Sequence, residues 1–294
     1  MIAEMLGKME YDPSLALNQG LERIKAEFPE FGKNVEIVVE IARHGAKTKE
    51  GALSEKGMEQ AAALGAKFPE ASRIIGYAST LEQGGAKRAL DTVRIAIENA
   101  PEIKEKALAS IERIGRDFDF MTLKNAWDLN IFKKIMAEAP EKGWTSEQAE
   151  DIGLNETLKA CPEAVREVAS RFAHWLKFFM NSSIITKNGE KVFYPIISHG
   201  IMPESFFKMA LVRTNKDTGE KIVGYDDLIE DFGGGFSETE AVDFKAKTDA
   251  DKNLSSIRVE FKNPERAKIF EGWDLSIDWD KIEELDKEYY EKYQ

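Results

Sequence analysis

Three short stretches of this chain put reactive side chains beside residues that let the backbone turn. Arg43-His44-Gly45 closes the apolar run "VVEIA", His199-Gly200 closes "YPIIS", and Arg88 stands near the start of "KRALDTVRIAIE". His44 and His199 are two of only three histidines. An imidazole with an ordinary pKa of about 6.5 is available as a neutral nucleophile or proton carrier near neutral pH. A guanidinium stays charged and grips phosphate or carboxylate oxygens bidentately. Glycine after each histidine lets the chain bend tightly or approach a ligand closely. Two histidines and two arginines meeting at one point would make a pocket for a small oxyanion.

Whether they meet depends on the elements that carry them. Residues 35–42, 73–79 and 192–198 are apolar runs that read as buried strands. Between them lie helical patterns. Ser54 can cap "EKGMEQAAALGAKF", with Leu53 and Met58 spaced for a hydrophobic staple, and residues 87–98 and 162–180 repeat apolar residues at helical spacing. Strands alternating with helices predict an α/β fold, a three-layer α/β/α sandwich around a mostly parallel central sheet. In such a sheet ligands bind beyond the carboxyl ends of the strands, where His44 and His199 both fall. Residues 111–160 are less regular and read as a small, mostly helical cap insertion.

After Gly233-Gly234-Gly235 the pattern becomes alternation, in "ETEAVDFKA" and "SSIRVEFK", predicting an antiparallel pair near the sheet edge. The glycine triplet itself precedes no P-loop lysine and reads as a flexible turn. The closing "IDWDKIEELDKEYYEKYQ" is a charged amphipathic helix, expected to dock as a tail. His174 falls off the apolar stripe of Val165, Val168, Phe172 and Phe179, which predicts a surface position. The whole reads as one domain over residues 1–294, with an N-terminal helical extension (1–34), the cap (about 111–160) and C-terminal strands and helix (about 236–294).

Composition narrows the partners. With 294 residues, 43% hydrophobic and 32% charged, the chain falls in the soluble globular class, and no apolar run approaches the roughly 20 residues that span a bilayer. The first residues lack the basic start, apolar block and small-residue cleavage site of a secretory signal, so a cytoplasmic location is expected. Cys161 is the only cysteine, leaving no intrachain disulfide or cysteine-based zinc site. A formal charge of −12 argues against nucleic acid or an anionic membrane as partner. A small anionic substrate stays open, because exposed charges are screened beyond about 8 Å and a few local cations can dominate one pocket.

Taken in order, three blocks resemble the histidine phosphatase superfamily, the phosphoglycerate mutase-like family. They are "ARHG" followed by "LSEKGMEQAAALG", "YAST...KRALDTV", and "SHG" after the last core strand. The resemblance covers residues 35–212. It implies that His44 is the nucleophile that takes the phosphoryl group, that Arg43 and Arg88 clamp phosphate, and that His199 is the second histidine of the pocket. Lys47 lies where some relatives carry another phosphate-binding arginine, and "AKTK" reads equally well as a solvated loop. No metal or other cofactor is implied, since phosphoryl transfer can run on positioning and charge neutralisation.

Loss of an alkoxide from a phosphomonoester also needs a proton, commonly from a carboxylic acid. Many relatives carry a glutamate downstream of the second arginine, in a pattern like Glu-Arg-x-Phe-Gly. Here "IGRDFDFM" puts Gly115 in that place, with Asp117 and Asp119 nearby, and Glu204 opens a helix just after His199. Asp117 and Glu204 are the leading candidates, with Asp119 behind them. The expected activity is therefore that of a phosphomonoester hydrolase of the histidine acid type, acting on a small phosphorylated substrate or a phosphoprotein. A mutase is the close alternative, although "RHGAKTK" lacks the "RHG-E-S-x-W-N" stretch of the glycolytic mutases. A phosphate- or phosphopeptide-binding module that has lost its acid is the alternative from another class. A serine hydrolase finds no G-x-S-x-G elbow. Substrate identity and oligomeric state are not read from these residues.

Overall fold

The computed structural model describes residues 28–79, 86–103, 105–109, 112–118 and 127–293. Most of the expected N-terminal extension, residues 80–85 of the "YAST" block, and Asp119 lie outside the described residues. The strands are β1 (Glu36–Arg43), β2 (Arg73–Ala78), β3 (Glu105–Leu108), β4 (Lys191–Ser198), β5 (Leu211–Asn215), β6 (Lys221–Val223), β7 (Ala241–Lys247), β8 (Arg258–Phe261) and β9 (Trp273–Ile277). They form one sheet in the order β3-β2-β4-β1-β7-β8-β9-β5-β6.

That sheet is mixed rather than mostly parallel. β3, β2, β4 and β1 run parallel, and every pairing from β1–β7 outward is antiparallel. The cause is in the connections. Parallel neighbours need a long crossover, whereas antiparallel ones can be joined by a short turn. The strands before residue 200 are separated by whole helices, but β5 returns directly into β6, pairing Thr214 with Lys221. β7 and β8 do pair antiparallel, yet they sit inside the sheet, because β9 and the β5–β6 hairpin lie beyond them.

Both sheet faces are covered, as the alternation of β1 requires. Val38 and Ala42 pack with Phe193 and Ile197 against helices α1 (Glu55–Gly65) and α2 (Ala86–Asn99), through Leu64, Ala89, Val93 and Ala96. Ile37, Val39 and Ile41 face the larger core on the other side. That core is supplied by α3 (Glu112–Asp117), α6 (Pro162–Asn181), α7 (Met202–Ala210) and α9 (Trp279–Tyr293), with Phe172, Phe179, Phe206, Phe207 and Leu285 among its residues. Helix α1 is capped by Ser54, whose side chain accepts from Gly57 N. The staple does not close: Met58 stays exposed, and Leu53 lies over Gly57 instead.

The segment expected to form a cap holds α4 (Leu129–Lys142) and α5 (Ser146–Ala160). Gly143, at φ 68°, ends α4, and a reciprocal capping box between Thr145 and Gln148 starts α5. A short helix α8 (Pro264–Ile269) precedes β9. Helix α9 packs along α6 and changes the reading of His174. The imidazole is not on the surface: its Nδ1 lies 2.8 Å from Asp286 Oδ1 and its ring stacks on Tyr289 at 4.0 Å between centroids. The apolar stripe is only part of the buried face of α6, because α9 covers the adjoining flank with acids that also receive Lys177. Among the described residues, no helix is long and apolar enough to cross a membrane.

Candidate active site

The parallel half of the sheet assembles the site. β1 and β4 pair in register up to Arg43 and Ser198, and His44 N continues the ladder to Ser198 O at 3.0 Å. Each strand's next residue is a histidine, so the two imidazoles emerge side by side, with ring centroids 5.1 Å apart and planes at 66°. β2 lies on the other flank of β4, and Ser79 N reaches Ile197 O at the same edge. Arg88 comes in from the first turn of α2.

The loop after His44 is held tightly. Gly45 N donates to Thr92 Oγ1 (3.2 Å), and Thr92 Oγ1 donates to Arg88 O (2.7 Å), tying the histidine's loop to the arginine's helix. Ala46 N donates to Gln60 Oε1 (2.8 Å), and Ala46 O receives both Ser54 N and Ser54 Oγ. The approach of this loop to α1 demands glycine on both sides. A Cβ on Gly45 would come within 2.6 Å of Gly57 O, and one on Gly57 within 2.2 Å of Ala46 O. Gly200 differs: its Cβ would meet nothing closer than Arg43 Nε at 3.8 Å. The left-handed residue of that second turn is Ile201, at φ 77°, a costly conformation for a β-branched side chain.

One tautomer of His44 satisfies its neighbours. Gly45 O, 2.8 Å from Nδ1, can only accept, so Nδ1 carries the proton. Arg88 Nε, 2.9 Å from Nε2, can only donate, so Nε2 presents its lone pair. Arg88 also donates through Nη1 to Gly51 O at 3.2 Å. Burial and the cations Arg88, Arg43 and Lys47 push the His44 pKa down to about 3, although the Gly45 carbonyl works in the opposite direction. His199 is likewise held at about 3, by burial, by His44 and by the same three cations. Both rings are therefore neutral at neutral pH. Lys47 is exposed and acts on the imidazoles only through its charge.

Arg43 is fixed from the far side. Its Nη1 donates to Phe236 O at 2.7 Å, its Nη2 lies 3.8 Å from Glu150 Oε2, and its buried Nε has no hydrogen-bond partner among the described residues. Backbone pairing adds to this, with Arg43 N donating to Glu240 O and Thr239 N to Arg43 O. The segment around Phe236 is itself built on Arg266, which donates to the carbonyls of Phe232, Gly234 and Gly235 and pairs with Glu240. The guanidinium of Arg266 lies 4.7 Å from the ring centroid of Phe236 and 4.8 Å from that of Phe232. The glycine triplet is therefore a wired platform under Arg43.

The two leading acid candidates do not join the histidines. Asp117 is buried at the end of α3, and its carboxylate receives Trp175 Nε1 at 3.0 Å and the Tyr289 hydroxyl. Its partners belong to the α6–α9 layer. Glu204 is fully buried in the first turn of α7, where Oε1 accepts from Phe236 N at 2.8 Å. Burial raises its pKa, and Oε2 finds no hydrogen-bond partner among the described residues. Glu204 is thus enclosed against Phe236, the residue whose carbonyl anchors Arg43. Sequence reasoning missed Glu150 and Asp151 on α5, and also Arg266. The available signal was Asp151, Asn155 and Lys159 at i, i+4, i+8, a polar face in search of a partner.

No protein-family model and no curated protein matches the chain. Solved structures do. The chain is similar to a phytase from Klebsiella sp. ASR1, with 10% identity, 86% of this chain and 95% of the phytase covered, and a TM-score of 0.45. It is also similar to a phosphoserine phosphatase from Entamoeba histolytica in complex with 3-phosphoglyceric acid, with 14% identity, 71% and 90% covered, and a TM-score of 0.34.

Proposed function

We propose that the chain is a phosphomonoester hydrolase of the histidine phosphatase superfamily, working through a phosphohistidine on His44. The observation that carries this reading is the tautomer of His44: Nδ1–H is held by Gly45 O and the Nε2 lone pair is aimed at Arg88. A nucleophile for phosphorus must be neutral, oriented and surrounded by positive charge, and His44 meets all three conditions. On substrate entry, Arg88 exchanges the imidazole nitrogen for a phosphate oxygen, releasing the lone pair for in-line attack. Arg43 offers Nε and Nη2 as a second clamp, neutral His199 offers a hydrogen bond to a third oxygen, and Lys47 adds charge at the mouth. The P–O bond to the leaving group breaks as the N–P bond forms, and water then cleaves the N–P bond to release inorganic phosphate. The substrates expected are small phosphorylated molecules or a phosphorylated protein side chain.

A panel of phosphomonoesters assayed with wild type and His44→Ala tests the proposal. A labelled donor followed by an alkaline denaturing quench, which preserves phosphohistidine, should give label on wild type only. Turnover that survives in His44→Ala would remove the nucleophile from the reading. Binding of phosphate without label or turnover would favour a non-catalytic phosphate-binding module.

A further inference from the structure

We infer that Glu150, on helix α5, is the general acid of the phosphoryl transfer and guards the phosphate-binding edge of Arg43, an inference that rests on the phosphatase reading. Glu204 is sealed beneath Phe236, and Asp117 is committed to Trp175 and Tyr289. Glu150 meets the opposite condition. Its side chain is 50% exposed, and Oε2 lies 3.8 Å from Arg43 Nη2.

Two observations put this carboxylate at the edge of Arg43 that would take phosphate. First, Phe236 O occupies Arg43 Nη1, so the Nε–Nη2 edge is the one that can take two phosphate oxygens, and Glu150 stands at that edge. Second, α5 is anchored on the platform that also holds Arg43. Asp151 Oδ1 accepts from Gly235 N (2.9 Å), Asn155 Oδ1 from Leu228 N (2.9 Å), and Lys159 Nζ donates to Asp227 Oδ2 (2.8 Å). These contacts fix the helix rotation that carries Glu150 over Arg43.

In the proposed cycle Glu150 acts from its carboxylic acid form. As His44 Nε2 forms the N–P bond, the P–O bond breaks and the departing alkoxide takes the proton from Glu150, leaving as alcohol. The resulting carboxylate then removes a proton from water, the hydroxide attacks phosphorus, and the N–P bond breaks. His44 returns neutral, Glu150 returns protonated, and inorganic phosphate leaves.

The test is Glu150→Gln, which keeps the shape and removes the proton. With an alkyl phosphate such as glycerol phosphate, kcat should fall about 100-fold or more, whereas p-nitrophenyl phosphate, whose leaving group needs no proton, should stay within about threefold. Inorganic phosphate should inhibit the variant more tightly, because the repelling carboxylate is gone; a merely structural role would weaken both substrates and phosphate alike. Equal effects on the two substrates, no effect on either, or the same discrimination arising in Glu238→Gln overturn the assignment of Glu150. A wild-type enzyme that forms no His44-dependent phosphoenzyme overturns the phosphatase reading, and Glu150's role with it.

Discussion

Arg88 Nε donates to His44 Nε2 at 2.9 Å, so the guanidinium proposed to receive phosphate is also the group that aims the proposed nucleophile. Replacing Arg88 therefore removes two functions at once. Arg88→Ala should lower kcat/KM for p-nitrophenyl phosphate by about 100- to 1,000-fold, the usual cost of a lost transition-state donor. Arg88→Lys should recover little of it, since an ammonium cannot meet the imidazole and a phosphate oxygen with one planar fork. Steady-state kinetics on both variants, beside a wild-type melting curve, checks the expectation.

The depressed histidine pKa values carry a pH signature. His44 and His199 stay neutral in the folded protein down to about pH 3, whereas in the unfolded chain both protonate below about 6.5. Between those limits the unfolded state binds more protons, so stability rises with pH across the window and falls as pH drops from 6.5 toward 3. Urea unfolding between pH 4 and pH 7 should show this slope, and the double variant His44→Gln/His199→Gln should flatten it. Activity should also lack a limb near pH 6.5 due to either imidazole in the free enzyme.

The two glycines that follow the histidines should respond differently. Gly45→Ala drives a Cβ into Gly57 O at 2.6 Å, a backbone contact that cannot swing aside, and should cost about 1–3 kcal/mol as well as displacing His44. Gly200→Ala places its methyl at ordinary contact distance from Arg43 Nε and should keep near-wild-type stability. Melting temperatures and kcat of the pair decide the point; equal losses would contradict it.

Arg266 offers a fourth check. Arg266→Met strands Glu240 in the interior without its cation, and breaking a buried pair in this way typically costs about 3–5 kcal/mol. Because Arg266 holds the carbonyls of the loop whose Phe236 O anchors Arg43, KM for phosphomonoesters should rise as well. Adding Glu240→Gln should restore part of the stability, so that the double variant loses less than the sum of the singles.

Much of the sheet was legible because its strands are buried on both faces and therefore read as continuous apolar runs. The structure's β1, β2 and β4 differ from the runs in the sequence by no more than one residue at either end. His44, His199 and Arg88 were legible for a related reason: strand ends and helix starts place residues at one sheet edge, and a parallel pair in register brings consecutive strand-end residues together. His174 was misread because the second surface of α6 is covered by α9, more than 100 residues later in the chain. The surroundings of Asp117 and Glu204 were not legible, because Asp117 was singled out by its place beside Gly115 and Glu204 by its nearness to His199, whereas Trp175, Tyr289 and Phe236, remote in sequence, take up these carboxylates.

The sequence by itself determined the alternating elements of the parallel half, the residues at its carboxyl edge, and the local charge that favours an oxyanion, all of which follow from short-range periodicity and chain direction. Only the tertiary structure decided that the sheet continues as an antiparallel array, which tautomer His44 adopts, and which carboxylate reaches Arg43. Those depend on packing between segments remote in sequence, where α5, the Phe236 loop and Arg266 assemble around one guanidinium, and short-range pattern carries no record of such partners.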